Sequence, residues 1–268
     1  MSKVVLITGA SSGIGEAIAN YLSQHGYKVY GTSRNPQSNS NGKFRVLKMD
    51  VNNEGEIKEA LKVIVEQEGR VDVLINNAGL GIAGSVEETD LEQIQKVMNT
   101  NVFGVIKVCR AILPIMRKQN DGLIINVSSI GGYVGLPFRG IYSASKFALE
   151  GLSEALSMEV KSFGIKTCLL QLGDFNTNIN ANRLVGTASS ESPYYSAFDK
   201  ILNQINEEVA EASDPILVAQ VVEKIIKKKK PKLRYVIGKP LQKLTIPLKK
   251  ILPGRLFEKI LSNHYQLK

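Results

Sequence analysis

The chain has 268 residues, 43% of them hydrophobic, and a formal net charge of +9, which allows one sizeable domain. No apolar run approaches the ~18 residues of a membrane span, and the cysteines and histidines lack paired spacing, which excludes a disulfide framework and a zinc site. Residues 224–268 hold 14 Lys and Arg and one acidic residue, whereas the first 223 carry 20 basic and 24 acidic groups. We therefore expect a soluble, cytoplasmic, metal-free protein of one domain, 1–268, with a basic C-terminal extension from about 239 to 268.

Apolar strands alternate with amphipathic helices along the chain. In the first part, strands are predicted at "KVVLIT", "YKVYGTS", "FRVLKMD" and "VDVLINN". Helices are predicted after the first strand, at "EAIANYLSQHG", and after the third, over 54–68. A long helical region from 90 to 118 follows, then "GLIINVSS", a helix beginning near Tyr142, "KTCLLQL" and "RYVIG". Apolar strands joined by crossover helices indicate a parallel sheet covered on both faces. The predicted fold class is α/β, a Rossmann-type doubly wound sheet of about seven strands.

The turn after the first strand, "TGASSGIG", is rich in glycine. Gly9, Gly13 and Gly15 allow a tight turn and a close approach of the backbone to a pyrophosphate. The free N–H groups at the start of the next helix add positive partial charge. Because a strand precedes this turn and a helix follows it, the pattern predicts a dinucleotide site.

The second strand ends in Ser33, followed by Arg34. An acidic residue here would bind the ribose hydroxyls of NAD and repel the 2′-phosphate of NADP. The planar guanidinium of Arg34 suits a phosphate, and the Ser33 hydroxyl can donate to one. The sequence therefore favours NADP(H) over NAD(H).

Tyr142 and Lys146 lie four residues apart in "IYSASKFALE", so they share one helix face. Ser129 precedes Tyr142 by 13 residues, and a glycine-rich loop separates them. With "TGASSGIG", "NNAG" (76–79), "NVFG" (101–104) and "NVSSIGG", the "YSASK" motif resembles the classical short-chain dehydrogenases/reductases over roughly residues 3–240. The segments "KFALEGLSEALSMEV" and "LPF" are most similar to the hydroxysteroid and retinol dehydrogenases of that family.

The resemblance implies a catalytic role for four residues. Tyr142 would be the general acid/base, and Lys146 would lower the pKa of the Tyr142 hydroxyl and hold the nicotinamide ribose. Ser129 would polarise the substrate carbonyl, and Asn101 would hold a water of a proton relay near Lys146.

The same resemblance implies the cofactor contacts. Asp50 would meet the adenine, Asn77 to Gly79 would flank the adenosine ribose, and Thr177 would contact the carboxamide. The full predicted set is Gly9, Ser11, Ser12, Gly13, Ile14, Gly15, Ser33, Arg34, Asp50, Val51, Asn77, Ala78, Gly79, Tyr142, Lys146, Phe175 and Thr177. One departure is Leu172-Gly173, where family members usually have Pro-Gly, which puts the rigidity of that loop in doubt.

The family resemblance implies a substrate lid over about 178–213. The lid and the loop after Ser129 supply apolar side chains that either line the pocket or pin the lid to the core: Val134, Leu136, Phe138, Tyr194, Tyr195 and Phe198. Arg139 and Arg183 are the only candidates for a carboxylate clamp in these loops. A small apolar ketone, aldehyde or alcohol is therefore the expected substrate.

These features predict an NADP(H)-dependent oxidoreductase. The alternatives are a 3-oxoacyl-thioester reductase and a non-catalytic NADP(H)-binding protein that acts through its basic tail on a membrane or nucleic acid; we expect no nucleic-acid partner. By resemblance, the helices near 100–118 and 142–162 would form a homodimer or homotetramer.

The tail residues Leu241, Leu244, Leu248, Ile251 and Leu252 recur at near-helical spacing, so this segment could lie on an anionic membrane or cover the lid or a neighbouring subunit.

Overall fold

The computed structural model describes residues 2–36, 44–177, 183–186 and 189–267. Within them, seven parallel strands form one sheet in the order β3-β2-β1-β4-β6-β7-β9. The strands of this sheet are β1 (Val4–Ile7), β2 (Lys28–Ser33), β3 (Arg45–Lys48), β4 (Val73–Asn76), β6 (Gly122–Ser129), β7 (Ile165–Leu172) and β9 (Arg234–Ile237). The short strands β5 (Ile82–Ala83) and β8 (Leu184–Val185) pair separately. The predicted fold class is confirmed.

Helices cover both faces of the sheet. They are α1 (Gly13–Gln24), α2 (Glu54–Glu68), α3 (Leu91–Met98), α4 (Gly104–Gln119), α5 (Gly140–Glu159), α6 (Tyr195–Ala210), α7 (Ile216–Ile226), α8 (Pro240–Ile251) and α9 (Gly254–His264). Single turns of 3₁₀-helix occur at Ile130–Gly132 and Lys161–Phe163. Parts of the predicted lid, 178–182 and 187–188, lie outside the described residues.

Strand β1 shows why the strands lack polar alternation. Val5 and Ile7 face a core formed with α1 and α7, while Val4 and Leu6 face a second core formed with α2 and α4. All four side chains are at most 1% exposed. A strand that is buried on both faces needs apolar residues at every position.

The predicted helix over 90–118 is interrupted by a π-helical turn. Helix α3 ends at Met98, the π turn spans Asn99–Phe103, and α4 continues from Gly104. Asn101 lies in this turn and is buried. Such turns insert an extra residue into a helix and re-aim its side chains, often at functional sites.

The basic C-terminal extension forms α8 and α9. Pro240 is the first residue of α8, Pro247 lies inside it, and Pro253 caps α9. These helices pack on the 3₁₀ turn after β6 and on α6. Because α6 belongs to the predicted lid, the tail covers part of that lid. No helix among the described residues is long and apolar enough to cross a membrane.

Candidate active site

The predicted site residues lie at the carboxyl ends of the strands, where the sheet order reverses between β1 and β4. Ligands of open α/β sheets bind at this position. In the turn after β1, Gly9 has φ +66° and Gly13 has φ +59°, conformations that glycine adopts readily. A Cβ on Gly15 would lie 2.3 Å from the Gly9 carbonyl oxygen, so only glycine fits there.

Thr8 and Asn77 hold this glycine turn. The Asn77 Nδ2 donates to the carbonyls of Thr8 (3.1 Å) and Gly9 (2.9 Å). The buried Thr8 hydroxyl accepts the backbone N–H groups of Asn77 and Ala78, both at 3.0 Å. The sequence reasoning missed Thr8, although it directly precedes Gly9 in the motif. The Asn77 side chain therefore binds the glycine turn, and the Asn77 backbone lies next to Thr8 of that turn.

The remaining residues of the predicted adenosine side occupy the ends of β1, β2 and β3. Ser11 and Ser12 are exposed at the start of α1, and Ile14 packs partly buried against the core. Ser33 is buried, and its Oγ accepts the Asn35 N–H at 3.3 Å.

Arg34 follows Ser33 and is exposed. Beyond β3, Asp50 accepts the Asn52 N–H at 2.8 Å, and buried Val51 lies against Gly104. Of these side chains, Arg34 is exposed at one rim of the site and Asp50 is partly buried beside it.

Ser129 and Tyr142 meet above the 3₁₀ turn. Ser129 caps that turn by accepting the Gly131 N–H at 3.0 Å, and its Oγ lies 3.3 Å from the Leu172 carbonyl oxygen. The Ser129 side chain is also near enough to the Tyr142 hydroxyl to oppose the rise that burial causes in the pKa of the phenol. A Cβ on Gly131 would lie 3.3 Å from the Tyr142 ring, so this glycine gives the ring room.

Lys146 and Asn101 lie in the same region as Tyr142. The buried Lys146 Nζ donates to the Val127 carbonyl at 2.9 Å and lies 5.8 Å from the centre of the Tyr142 ring. Asn101 Nδ2 donates to the Leu80 carbonyl (2.9 Å) and to Ser145 Oγ (3.0 Å).

Gly79 lies close to the side chains of both Asn101 and Lys146. A Cβ on Gly79 would lie 3.3 Å from Asn101 Oδ1 and 3.7 Å from Lys146 Nζ. The structure therefore brings together all four residues that the sequence assigned to catalysis.

Burial dominates the pKa values of Tyr142 and Lys146. Burial raises the pKa of Tyr142, the charge of Asp174 raises it further, and the Ser129 side chain and Arg139 oppose the rise. Burial lowers the pKa of Lys146 to about 8. These shifts belong to the protein's own groups; that Lys146, together with the positive charge of the nicotinamide, lowers the pKa of Tyr142 stays a prediction.

The tail contacts the loop after β7, where this chain has Leu172-Gly173 and family members usually have Pro-Gly. Leu172 is buried, and the Gln242 side chain from α8 donates to Asp174 Oδ2 at 2.5 Å. A Cβ on Gly173 would overlap Gln242, lying 2.1 Å from its Oε1. A side chain from a distant part of the chain therefore supports this loop, whose rigidity the sequence left in doubt.

Further along the same loop, Phe175 is buried and bridges to Ser213, and the Thr177 side chain lies over Gly13. A Cβ on Gly13 would be 3.4 Å from that of Thr177. Thr177, the last described residue before the predicted lid, thus lies directly beside the glycine turn.

Aromatic side chains join the lid to the loop after Ser129. The Phe138 ring lies 5.6 Å from that of Phe198 and 6.3 Å from that of Tyr194. Phe138 has φ +54°, a strained conformation for this residue. Tyr195 is 43% exposed, so it is unsuited to the predicted pocket lining, and Val134 is buried against Phe257 of α9.

Two arginines lie on the substrate side. Arg139 donates to the Tyr265 hydroxyl, and Arg183 donates to Asn206 Oδ1. Burial and the nearby charge of Arg139 lower the pKa of Arg183. Asp174 lies close enough for Arg139 to oppose the rise that burial causes in the pKa of the Asp174 carboxyl. The pocket side is therefore less apolar than the sequence suggested.

The residues present fit a nicotinamide dinucleotide. The glycine turn leads into the start of α1, where helix N–H groups suit a pyrophosphate, and side chains at Gly15 or Gly9 would overlap Gly9, Asn77 or Ala78 and so disrupt the turn. Ser33 and Arg34 would hold the adenosine end, and Lys146 and Thr177 the nicotinamide end.

Known proteins share these features. A family model described as short chain dehydrogenase matches residues 3–186. The 3-ketodihydrosphingosine reductase of Bacteroides thetaiotaomicron is 44% identical over 267 residues, covering 99% of each protein. The 17-beta-hydroxysteroid dehydrogenase type 1 of Mus musculus is 34% identical over 251 residues, covering 87% of this chain and 72% of the mouse protein.

Solved structures agree with these relatives. A short-chain dehydrogenase from Streptomyces avermitilis is 32% identical with a TM-score of 0.82, covering 99% of this chain and 97% of that one. ElxO with NADP bound is 28% identical (TM-score 0.71; 88% and 96% covered). A short chain dehydrogenase/reductase from Burkholderia phymatum in complex with NAD is 25% identical (TM-score 0.79; 100% and 96% covered). The chain therefore belongs to the short-chain dehydrogenase family and is an oxidoreductase.

Proposed function

We propose that the protein is an NADP(H)-dependent oxidoreductase that interconverts a hydrophobic ketone or aldehyde and its alcohol. The observation that carries this proposal is the convergence of Ser129, Tyr142 and Lys146: Ser129 and the Tyr142 ring both lie beside Gly131, and the Lys146 Nζ is 5.8 Å from the centre of the phenol ring. A bound NADPH supplies the hydride. Binding alone would not need these three side chains together, which argues against a non-catalytic role.

In the proposed reduction, Ser129 and Tyr142 donate hydrogen bonds to the carbonyl oxygen. Tyr142 transfers its proton to that oxygen as negative charge develops on it. Lys146 holds the nicotinamide ribose and, with a pKa of about 8, can return a proton near neutral pH. Asn101 orients the water that completes this relay.

For the substrate we propose an aliphatic long-chain ketone. The support is the 44% identity, over 99% of both chains, to a protein named 3-ketodihydrosphingosine reductase. The relative named as a hydroxysteroid dehydrogenase also acts on a hydrophobic alcohol, but at 34% identity over less of its length. The aromatic lining from Phe138 and Phe198 suits either.

The test is NADPH oxidation with 3-ketodihydrosphingosine, a 17-ketosteroid and a 3-oxoacyl thioester, each titrated separately. We expect kcat/KM for the long-chain ketone to exceed the other two by about tenfold or more, the scale on which pocket contacts discriminate substrates. Equal rates with all three would contradict the substrate class, and absence of turnover with any carbonyl would contradict the proposed reaction.

A 3-oxoacyl-thioester reductase is the second candidate. The observation that favours it is the proximity of Arg139 and Arg183 on the substrate side, since two guanidinium groups suit a phosphate carried by a thioester. In the same assay this candidate would give the thioester the highest kcat/KM, and Arg183→Gln would lower that value selectively.

We propose that the protein is a cytoplasmic homodimer or homotetramer, paired through α4 and α5. Apolar side chains on and beside these helices are exposed: Phe103 is 46%, Phe147 40% and Met158 73% exposed. A second copy would cover them across a two-fold axis.

Ser33 and Arg34 support the choice of NADP(H). We expect the double change Ser33→Asp with Arg34→Ala to reverse the preference toward NADH, because it removes a phosphate-binding cation and places a carboxylate against the 2′-phosphate. Hydrogen bonds to charged groups contribute ~1.5–3 kcal/mol, so KM for NADPH should rise about tenfold or more. Initial rates with each cofactor measure this.

The matched control for this change is Arg45→Ala. Arg45 is also an arginine of the neighbouring strands, but it lies at the amino end of β3 and donates to Gln67. It should leave both KM values unchanged. A wild-type protein that used NADH as well as NADPH would show that Ser33 and Arg34 do not select the cofactor.

A further inference from the structure

The two C-terminal helices carry both buried and exposed apolar side chains. Six of them pack against the 3₁₀ turn after β6 and against α6: Ile246, Leu248, Leu252, Phe257, Leu261 and Tyr265. Five others are exposed, with Leu241 at 69%, Leu244 at 49%, Ile251 at 79%, Leu256 at 47% and Ile260 at 45%. Large apolar side chains left exposed in one short segment are typical of an interaction site. We call these five residues the tail face.

Basic residues accompany the tail face. Residues 224–268 carry 14 Lys and Arg and one acidic residue. The exposed cations on or beside α8 and α9 are Lys239, Lys243, Lys250, Arg255 and Lys259. Glu258 pairs with Arg255 at 2.8 Å and neutralises only one of them. On α8 and α9 the exposed cations thus outnumber the single acidic residue, whereas the first 223 residues carry a net charge of about −4.

The tail face lies next to the candidate active site. On the other side of α8, Gln242 binds Asp174 of the loop after β7. Lys249 Nζ donates to the Tyr133 carbonyl at 2.5 Å, immediately after the turn that Ser129 caps. A surface that binds the tail face therefore comes close to the lid and the pocket that the lid covers.

We propose that the tail face docks the protein on the surface of an anionic lipid bilayer. Apolar side chains within a strongly basic helical segment bind such surfaces by inserting the apolar groups among the lipids while the cations meet the headgroups. A second copy of the chain would bring the same excess of positive charge to the contact, and a nucleic acid would leave the leucines exposed. If the substrate is a long-chain ketone, as proposed above, docking also brings the pocket to the phase in which that substrate dissolves.

Flotation of the full-length protein with vesicles tests this proposal. Vesicles of phosphatidylcholine alone are compared with vesicles of phosphatidylcholine and phosphatidylglycerol, at low and at moderate salt. We expect the protein to float with the anionic vesicles only, and less at moderate salt. Lys243→Glu with Lys250→Glu should lower the partition coefficient by roughly fivefold or more for each lysine replaced, because each cation near the surface contributes ~1 kcal/mol.

The apolar part of the proposal has its own variants. Leu241→Gln, Ile251→Gln and Ile260→Gln together should lower the partition coefficient on anionic vesicles by at least about tenfold. The matched control is Leu91→Gln with Leu217→Gln, two side chains on α3 and α7 that are 82% and 45% exposed, and it should float as the wild type does. Unchanged NADPH affinity in all variants shows that they are folded, independently of any ketone substrate.

Three results would overturn the proposal. The wild-type protein would remain unbound with every vesicle, or the triple glutamine variant would float as well as the wild type. Alternatively, sedimentation would show that the triple variant dissociates an oligomer that the control variant keeps, which would make a second copy the occupant of the tail face. None of these results bears on the proposed reaction, because soluble ketones and NADPH are assayed without lipid.

Discussion

Tyr142→Phe should lower kcat by at least the ~100-fold that is typical of losing a general acid/base, while NADPH affinity and folding hardly change. The substitution removes one hydroxyl and keeps the ring, so the packing of Tyr142 against Gly131 is preserved. The lost hydroxyl is the group that the proposed reaction uses to donate the proton. Single-turnover rates with an accepted ketone, beside a fluorescence titration with NADPH, separate the two effects.

Tyr30→Phe is the matched control for this variant. Its hydroxyl lies 2.9 Å from both Gln67 Oε1 and Glu68 Oε1, one of which accepts its proton, on the α2 side of the sheet. This change should leave kcat unaltered. If Tyr142→Phe kept more than about a tenth of the wild-type rate at neutral pH, against the ~100-fold expectation, Tyr142 could not be the proton donor.

Lys146→Ala should reduce both turnover and cofactor affinity. The structure gives Lys146 two features that an alanine cannot replace: a buried ammonium that donates to the Val127 carbonyl, and a position beside the Tyr142 ring. We expect kcat to fall at least ~100-fold and the Kd for NADPH to rise about tenfold or more, since a hydrogen bond from a charged donor to the ribose is lost.

The pH dependence of NADPH affinity provides a second measurement. Burial lowers the pKa of Lys146 to about 8, so its ammonium is present at pH 7 and is progressively lost as the pH rises through 8. NADPH affinity in the wild type should therefore weaken above pH 8, whereas Lys146→Ala should lack this step.

Lys166→Ala, which removes a cation paired with Asp121 at the amino end of β7, should retain the wild-type pH profile. A wild-type profile that is flat through pH 8 would mean that Lys146 does not bind the cofactor.

Local sequence was sufficient to predict the sheet and most of the site. The central strands β1 and β4 are buried on both faces and apolar almost throughout, which distinguishes them from the amphipathic helices between strands. The glycine turn and the Tyr142–Lys146 pair are set by spacing alone, because a turn and a helix face are formed by residues close in the chain. The carboxyl ends of parallel strands lie at one edge, so these motifs were expected to converge.

Other features depend on contacts between distant residues. The sequence could not show that Gln242 of the tail supports Asp174, or that Thr8 receives two N–H groups from the end of β4. The rise that burial causes in the pKa of Tyr142 likewise depends on the packing of distant residues around the phenol.

The sequence by itself determined the order of strands and helices, the glycine turn, and the side chains available for catalysis, because periodicity and spacing act within a few turns of the chain. Only the tertiary structure decided where the apolar residues of the tail point. Leu248 is turned toward the core and Leu241 toward solvent, although both belong to one apolar pattern in the sequence. A helix presents several faces, and which of them is buried depends on the surface that the rest of the fold offers to it.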